Sequence, residues 1–316
     1  RTLLHARSRT SAWTAALASA VCKVPYVTTY HGVYDTSTRL KWLYCLPMVR
    51  GARVIAPSQF IANTIIKTFG SSNPGLSQRI VVIPRGLDSC FDPERTDVVA
   101  CAREFRRHWN ISPTIPLLMC VARPSPIKGV LDVLDIAHRL TSESESLPFA
   151  VALIGASDPC RPSFRRQMDL AIHKVVSAGV HVVSTHCLHG VEVPAAMMAA
   201  DVIVVASTKP EAFCRVVLEA LSLGRRVVAV DQGGIGEILA TGGAAFAGLT
   251  HKAQPGDRVS LLNATRGALR ASRHGGNGES ERQAAIKAAR QLGDVNLMSK
   301  RTLEVYRSVF KGNSGD

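Results

Sequence analysis

The chain has 316 residues, 46% of them apolar and 20% charged, and carries 38 Lys and Arg against 24 Asp and Glu, a formal net charge of +14. That length corresponds to about two domains and supplies enough chain for real cores, which excludes a disulfide-stapled mini-protein and a disordered tail. An excess of positive charge on this scale draws polyanions such as nucleic acid, an anionic lipid surface or phosphorylated small molecules, and composition does not choose among them.

In chain order, short β-rich runs predict strands at Tyr26–Thr29, Arg53–Ala56, Ile80–Ile83, Leu117–Val121, Phe149–Ile154, His181–Val183, Val202–Val205 and Arg226–Val230. Amphipathic stretches over Ser11–Cys22, Ser58–Phe69, Val130–Leu140, Arg165–Ser177 and Val216–Leu223 predict helices between them. The strand runs are continuous in Val, Ile and Leu rather than alternating, which is what burial on both faces requires. Strands of that kind alternating with helices read as parallel α/β sheets. Ser58 ahead of Ile61-Ala62 suits a helix N-cap at a β-to-α turn. The two prolines in Asn110–Pro116 suggest an interdomain linker, and His274–Ser280 a second flexible break. Glu281–Phe310 reads as helical, with Leu297, Leu303, Tyr306 and Phe310 forming one apolar stripe. The expected organisation is therefore a first domain at 1–112, a second at 113–290 and a closing helical segment at 291–316.

Charge is unevenly spread: residues 1–112 hold fifteen basic against six acidic side chains, a net +9, and residues 113–316 a net +5. Eight cysteines show no C-x-x-C pair, which argues against structural zinc, and Cys120 inside Leu117–Val121 reads as a reduced core thiol. No apolar run approaches the roughly 20 residues needed to span a bilayer. No basic segment leads into an apolar signal core, so a cytoplasmic location is expected.

Two segments carry chemistry. Lys209-Pro-Glu-Ala-Phe-Cys-Arg-Val-Val-Leu-Glu219 places Glu211 in a loop after a strand and Glu219 two turns into the next helix. Eight helical residues span about 12 Å, the length of a nucleotide-sugar, with the helix N-terminus between the carboxylates open to a diphosphate. Two solvent-facing glutamates on a strand–loop–helix would give the same spacing. Upstream, Val121-Ala-Arg-Pro-Ser-Pro-Ile-Lys128-Gly129 follows a strand, so that Arg123 and Lys128 suit a diphosphate leaving group, although two basic residues near a turn are also an ordinary solvated loop.

Taken in order, strand–R-x4-K-G, strand–E-x7-E–helix–G-x-x-V-V-A and Asp231-Gln-Gly-Gly-Ile-Gly-Glu237 resemble the family-4 retaining glycosyltransferases of GT-B fold. His5-Ala-Arg-Ser-Arg9, Thr28-Thr-Tyr-His-Gly32, Ala56-Pro-Ser-Gln59, Val82-Ile-Pro-Arg-Gly-Leu-Asp88 and Ala200-Asp-Val-Ile-Val-Val extend the resemblance along the chain. His186-Cys187 with Pro194-Ala-Ala resembles the bacterial subset that makes lipopolysaccharide and other envelope glycans. The resemblance implies two facing Rossmann-like domains with parallel sheets, an acceptor half followed by a donor half, and a final helix packed back on the first domain.

It further implies that Arg123 and Lys128 hold the donor diphosphate, Glu219 the ribose and Glu211 the transferred hexose. The backbone of Ala212, Phe213, Cys214 and Arg215 would meet sugar or phosphate, and His186 would border the nucleoside. His31 would sit near the reaction centre, with a strand-end histidine as the plainer reading; Arg7, Ser8 and Arg9 become acceptor candidates. The implied activity is hexose transfer from a nucleotide-diphosphate sugar to an envelope glycan or glycolipid, by front-face substitution with no cofactor and no metal.

Three departures stand out. Cys214 occupies a position where the family usually has Gly, the expected acidic pair after His186-Cys187 is Leu188-His189-Gly190-Val191, and Gly242–Thr250 is a poor match. The opening at Arg1, without the strand and glycine-rich loop expected before the HARSR-like strand, suggests an N-terminally shortened chain with an incomplete first domain. These departures leave a non-catalytic, nucleotide- or partner-binding relative as the alternative. Nucleic-acid binding has only the net charge in its favour, since interleaved aromatics, a helix-turn-helix and a zinc finger are all missing from the pattern. An acidic glycolipid acceptor or the anionic inner face of the cytoplasmic membrane accounts better for the +9.

Overall fold

The computed structural model describes residues 2–142, 148–273 and 278–311. It divides into two compact units, one of Arg1–Gly86, Pro210–Cys214 and Gly293–Asp316, the other of Leu87–Lys209 and Arg215–Leu292. Residues 274–277 of the expected flexible break and 312–316 of the expected last helix lie outside the described residues.

Unit 1 is built on a four-stranded sheet, β1 (Leu4–Ala6), β2 (Tyr26–Thr29), β3 (Arg53–Ala56) and β4 (Ile80–Val82), in that order and parallel throughout. β1 is too short, at three residues, to register as an apolar run, and it overlaps the HARSR segment that the resemblance marks as a strand. On one face, Ala12 and Ala15 of helix Arg9–Cys22 and Ile61, Ile65 and Phe69 of helix Gln59–Phe69 pack with Tyr30, Met48 and Val54. On the other, Val27, Ile55 and Ile83 meet Val305 and Val309 of helix Val295–Lys311.

The stretch Glu281–Phe310, expected to be helical, is helical with one interruption. Two helices form, Glu279–Leu292 and Val295–Lys311, because Asp294 turns the chain and its carboxylate accepts from the N–H groups of Asn296 and Leu297. Within helix Val295–Lys311 the buried face is Met298, Val305, Tyr306 and Val309, so of the expected stripe Tyr306 packs inward while Leu297 and Leu303 are exposed.

Unit 2 holds a six-stranded sheet of β5 (Leu117–Val121), β6 (Ala150–Ile154), β7 (His181–Thr185), β8 (Val202–Val205), β9 (Arg226–Val230) and β10 (Thr250–Ala253). The order is β10-β9-β8-β5-β6-β7 and every pairing is parallel. β10 is an edge strand; its THKA sequence has no apolar run, since an edge needs only one side paired and partly covered. Strand order runs one way from β5 and the other way from β8. This topological switch point is where the crevice beyond the strand ends opens in sheets of this kind.

The unit boundary falls at Gly86–Leu87, not in Asn110–Pro116. Helix Thr96–His108 packs Val98 and Ala102 on Ala195, and Arg106 donates to the carbonyls of Ser112, Ile115 and Ala199 and ion-pairs with Asp201. The proline segment is thereby anchored inside unit 2 and does not act as a linker.

Candidate functional site

In unit 2 the two loops at the switch point are locked together. After β5 the chain forms a short 3-10 turn at Pro126–Lys128 and reverses at Gly129, whose φ is +68°. A Cβ on Gly129 would lie 1.8 Å from the carbonyl oxygen of Ala206, just past β8, so only glycine fits. Thr208 seals the junction, its N–H donating to the Ile127 carbonyl at 2.9 Å. Lys128 is thus held half-buried at the end of β5, while Arg123 is exposed. The Lys128 charge acts on the Cys120 thiol only weakly against burial, which pushes that thiol up to about 12.

Next to Arg123, the ends of β6 and β7 bring together Asp158, His186 and Cys187. The Asp158 carboxylate accepts from the Cys187 N–H at 2.9 Å and lies 3.3 Å from His186 Nδ1. The Cys187 thiol and N–H, and then His186, hold Asp158 below the usual carboxylate range; the same thiol contact pushes Cys187 up. His186 itself is exposed. Asp158 was not among the expected site residues, because only the pairing of β6 with β7 sets it beside His186.

Helix Arg215–Ser222 carries the second part of unit 2's site. Glu219 is only 7% exposed, so a solvent-facing glutamate is excluded at this position. Arg215, one turn earlier, bridges Glu219 at 2.9 Å and Asp88 at 2.8 Å through Nη2. Burial raises the Glu219 carboxyl, Arg215 pulls it back, and Asp88 adds to the rise. The ion pair preorganises a carboxylate in a nearly dry position.

Pro210–Cys214 groups with unit 1. The buried Ser58 hydroxyl accepts from the Ile61 N–H, capping helix Gln59–Phe69, and donates to the Ala212 carbonyl at 2.6 Å. Glu211 and Ala212 are half-buried, whereas Phe213 and Cys214 are buried. Cys214 has φ +53°, the left-handed region that favours glycine. Relief of that strain offsets the lost side-chain burial, so Cys214→Gly should change stability by less than about 1 kcal/mol, whereas branched Cys214→Val should cost about 2 kcal/mol or more. Chemical denaturation of the two variants checks the contrast.

The remaining expected residues lie at the C-terminal edge of the unit 1 sheet. Ser8 caps helix Arg9–Cys22 in a reciprocal box with Ser11, so its hydroxyl is already engaged. Arg9 lies over the rings of Tyr34 and Tyr44, at 4.9 and 5.1 Å from their centroids. Arg7 and His31 do come together: Arg7 Nε donates to His31 Nε2 at 3.3 Å, and Arg85 Nη1 lies 2.9 Å from His31 Nδ1. Arg85 was not singled out from sequence. His5 is fixed one layer below, 2.6 Å from the Tyr306 hydroxyl and 2.7 Å from that of Thr29.

Burial first, then Arg85, Arg7 and His5, lower His31 to about 4. Between that value and the ordinary 6.5 the unfolded chain binds the proton and the folded chain does not. His31 should therefore cost stability as pH falls from 6.5 towards 4. The slope of melting temperature against pH in that window should flatten in His31→Gln.

Among the described residues no group of three or more His, Cys, Asp or Glu side chains is placed to hold a metal ion. None of the described helices is long and apolar enough to cross a membrane.

The chain is similar to known proteins over most of its length. Residues 2–89 match Glycosyltransferase Family 4 and residues 115–270 match Glycosyl transferases group 1. A lipopolysaccharide 1,2-N-acetylglucosaminetransferase of Salmonella typhimurium is 27% identical over 217 residues, covering 67% of this chain and 51% of the relative. An alpha-maltose-1-phosphate synthase of Mycobacterium tuberculosis is 27% identical over 261 residues, covering 76% of this chain and 62% of the relative. The chain thus spans about half to three-fifths of the length of these curated relatives. Among solved structures, a glycosyltransferase from Rickettsia africae superimposes with a TM-score of 0.81 at 22% identity, covering 99% of this chain and 77% of that one. Anabaena HepE in complex with UDP gives 0.78 at 20% identity, covering 97% and 78%. The two family matches lie in chain order, and the fold of two parallel-sheet units is that of GT-B glycosyltransferase structures.

Proposed function

We propose that the protein transfers a hexose, with retention, from a nucleoside-diphosphate sugar to an envelope glycan or glycolipid acceptor of the lipopolysaccharide type. The observation that carries the donor half of this reading is the buried Glu219–Arg215 pair on the helix that follows β8, with Lys128 locked at the neighbouring end of β5. In this reading Arg123 and Lys128 neutralise the diphosphate as the sugar C1–O bond breaks, taking the role of a divalent cation, so neither metal nor cofactor is required. Glu219 accepts from the ribose hydroxyls, Glu211 from the hexose, and His186 borders the nucleoside. The acceptor hydroxyl forms the new bond to C1 on the face the leaving group departs from, and its proton passes to the leaving phosphate oxygen.

The lipopolysaccharide relative supports the acceptor class, and the positive excess of residues 1–112 supports an anionic inner-membrane surface beside it. The maltose-phosphate synthase matches favour a second acceptor class, a phosphorylated saccharide. The test is mass-tagged sugar transfer from UDP-, GDP- and ADP-donors to envelope extracts and to sugar phosphates. Transfer with retained anomeric configuration is expected. Donor binding without any transfer would assign the chain to the non-catalytic relatives instead.

A further inference from the structure

Three parallel strands of unit 1 deliver basic groups to one edge of the sheet. Arg7 follows β1, His31 follows β2 two residues past its end, and Arg85 follows β4. The two guanidiniums flank one imidazole, at 3.3 Å on Nε2 and 2.9 Å on Nδ1. A guanidinium only donates, and a neutral imidazole accepts at one nitrogen and donates at the other. The ring can therefore accept from Arg7 or from Arg85, but not from both. Whichever it chooses, its own N–H is turned toward the other cation. His31 is half-buried, so the conflict is not dispersed into bulk water.

Arg7 sharpens the point. It is exposed, and among the described residues its one polar side-chain contact is His31. The charged groups facing His31, namely Arg85, Arg7 and His5, all disfavour protonation of the ring. The arrangement is a set of convergent donors whose mutual contacts leave at least one N–H aimed at a like partner. A tetrahedral or planar oxyanion resolves it: two oxygens accept from the guanidiniums and a third contact accepts the ring N–H.

We propose that the Arg7–His31–Arg85 edge of unit 1 binds an oxyanion, and that this oxyanion is an acid group carried by the acceptor substrate. The second clause rests on the glycosyltransferase reading above, in which the donor diphosphate has its own cations, Arg123 and Lys128, on unit 2. The first clause stands on the unit 1 geometry alone. Arg85 thereby becomes a specificity-determining residue, since an acceptor without the acid group leaves both guanidiniums facing the ring.

The test uses the full chain with Arg123→Gln and Lys128→Gln, which removes the donor-side cations. Inorganic phosphate, against chloride and acetate at matched ionic strength, is expected to raise the melting temperature. It is also expected to raise the His31 ring titration, read by NMR on histidine-labelled protein, by at least one pH unit. Arg7→Gln, an exposed position where the fold is not at stake, should weaken phosphate binding about tenfold or more, Arg85→Gln likewise, and Arg7→Lys should recover part of it. Co-sedimentation with phosphatidylglycerol but not phosphatidylcholine vesicles, lost in Arg7→Gln, would assign the oxyanion to a lipid headgroup; protection by phosphate in solution assigns it to a soluble phosphorylated acceptor. Either result supports the site. A His31 titration indifferent to phosphate, together with vesicle binding indifferent to Arg7→Gln, overturns it. Thermal shift of the unsubstituted chain with UDP, GDP and ADP reports on the donor reading separately; its failure removes the acceptor clause and leaves the oxyanion result intact.

Discussion

Gly129→Ala is expected to destabilise unit 2 by about 2–4 kcal/mol and, on the proposed function, to abolish nucleoside-diphosphate binding. Two costs combine. The backbone sits at φ +68°, where a Cβ costs about 1–2 kcal/mol, and that Cβ would lie 1.8 Å from the Ala206 carbonyl oxygen. Backbone cannot yield as a flexible side chain does, so the loop after β5 must separate from the loop after β8, an overpacking cost of about 1–3 kcal/mol. The Thr208–Ile127 hydrogen bond is lost in the same movement, and Lys128 leaves the switch point. Trp109 reports unit 2, whereas Trp13 and Trp42 lie in unit 1, so fluorescence of a chain with both unit 1 tryptophans changed to Phe isolates the transition. A midpoint drop of roughly 5–15 °C is expected for a unit of this size. A variant that melts normally would show that the tight approach is not a constraint in solution.

Glu219→Ala is the second large effect. Removing one partner of a fully buried ion pair costs about 3–5 kcal/mol, because the other charge is left uncompensated. Arg215 is partly exposed and keeps Asp88 at 2.8 Å, so about 2–3 kcal/mol is the expected loss. Glu219→Gln keeps the shape and the acceptor oxygen and should cost less. The two variants also separate stability from binding. If Glu219 holds the ribose, thermal stabilisation by UDP, GDP or ADP disappears in Glu219→Ala and is reduced in Glu219→Gln. Stabilisation that survives Glu219→Ala unchanged would move the nucleotide elsewhere.

The pH dependence gives the same pair an independent check. The folded carboxyl of Glu219 titrates above its ordinary 4.5, so above 4.5 the unfolded chain holds fewer protons than the folded one. Its contribution to stability therefore declines as pH rises from 4.5 through the folded value, opposite in sign to that of His31. Glu219→Gln should flatten that decline above pH 4.5 and leave the opposite slope due to His31 in place.

Most of the fold was legible because its cause is local. Continuous Val/Ile/Leu runs such as Val202–Val205 and Arg226–Val230 mark strands covered on both faces, and Ser58 marks a helix start through one side-chain acceptor. Elements escaped as apolar runs where burial is one-sided or the segment is short: β1 has three residues, and β10 is a polar edge strand. The unit boundary was misplaced because Pro113 and Pro116 look like punctuation in sequence, while the Arg106 fan that pins them to Asp201 and Ala199 reaches across about ninety residues.

The order of motifs along the chain determined by itself the α/β class, the two parallel sheets and the candidate donor residues Arg123, Lys128, Glu211 and Glu219, because each is a local pattern of a strand end, a turn and a helix start. Only the tertiary structure decided that Glu219 is buried against Arg215, that Asp158 meets His186, and that Arg85 closes on His31 from 54 residues away. Parallel strands joined by crossovers bring their C-terminal ends side by side whatever the length of chain between them, so groups with no spacing relation in sequence become neighbours at the sheet edge.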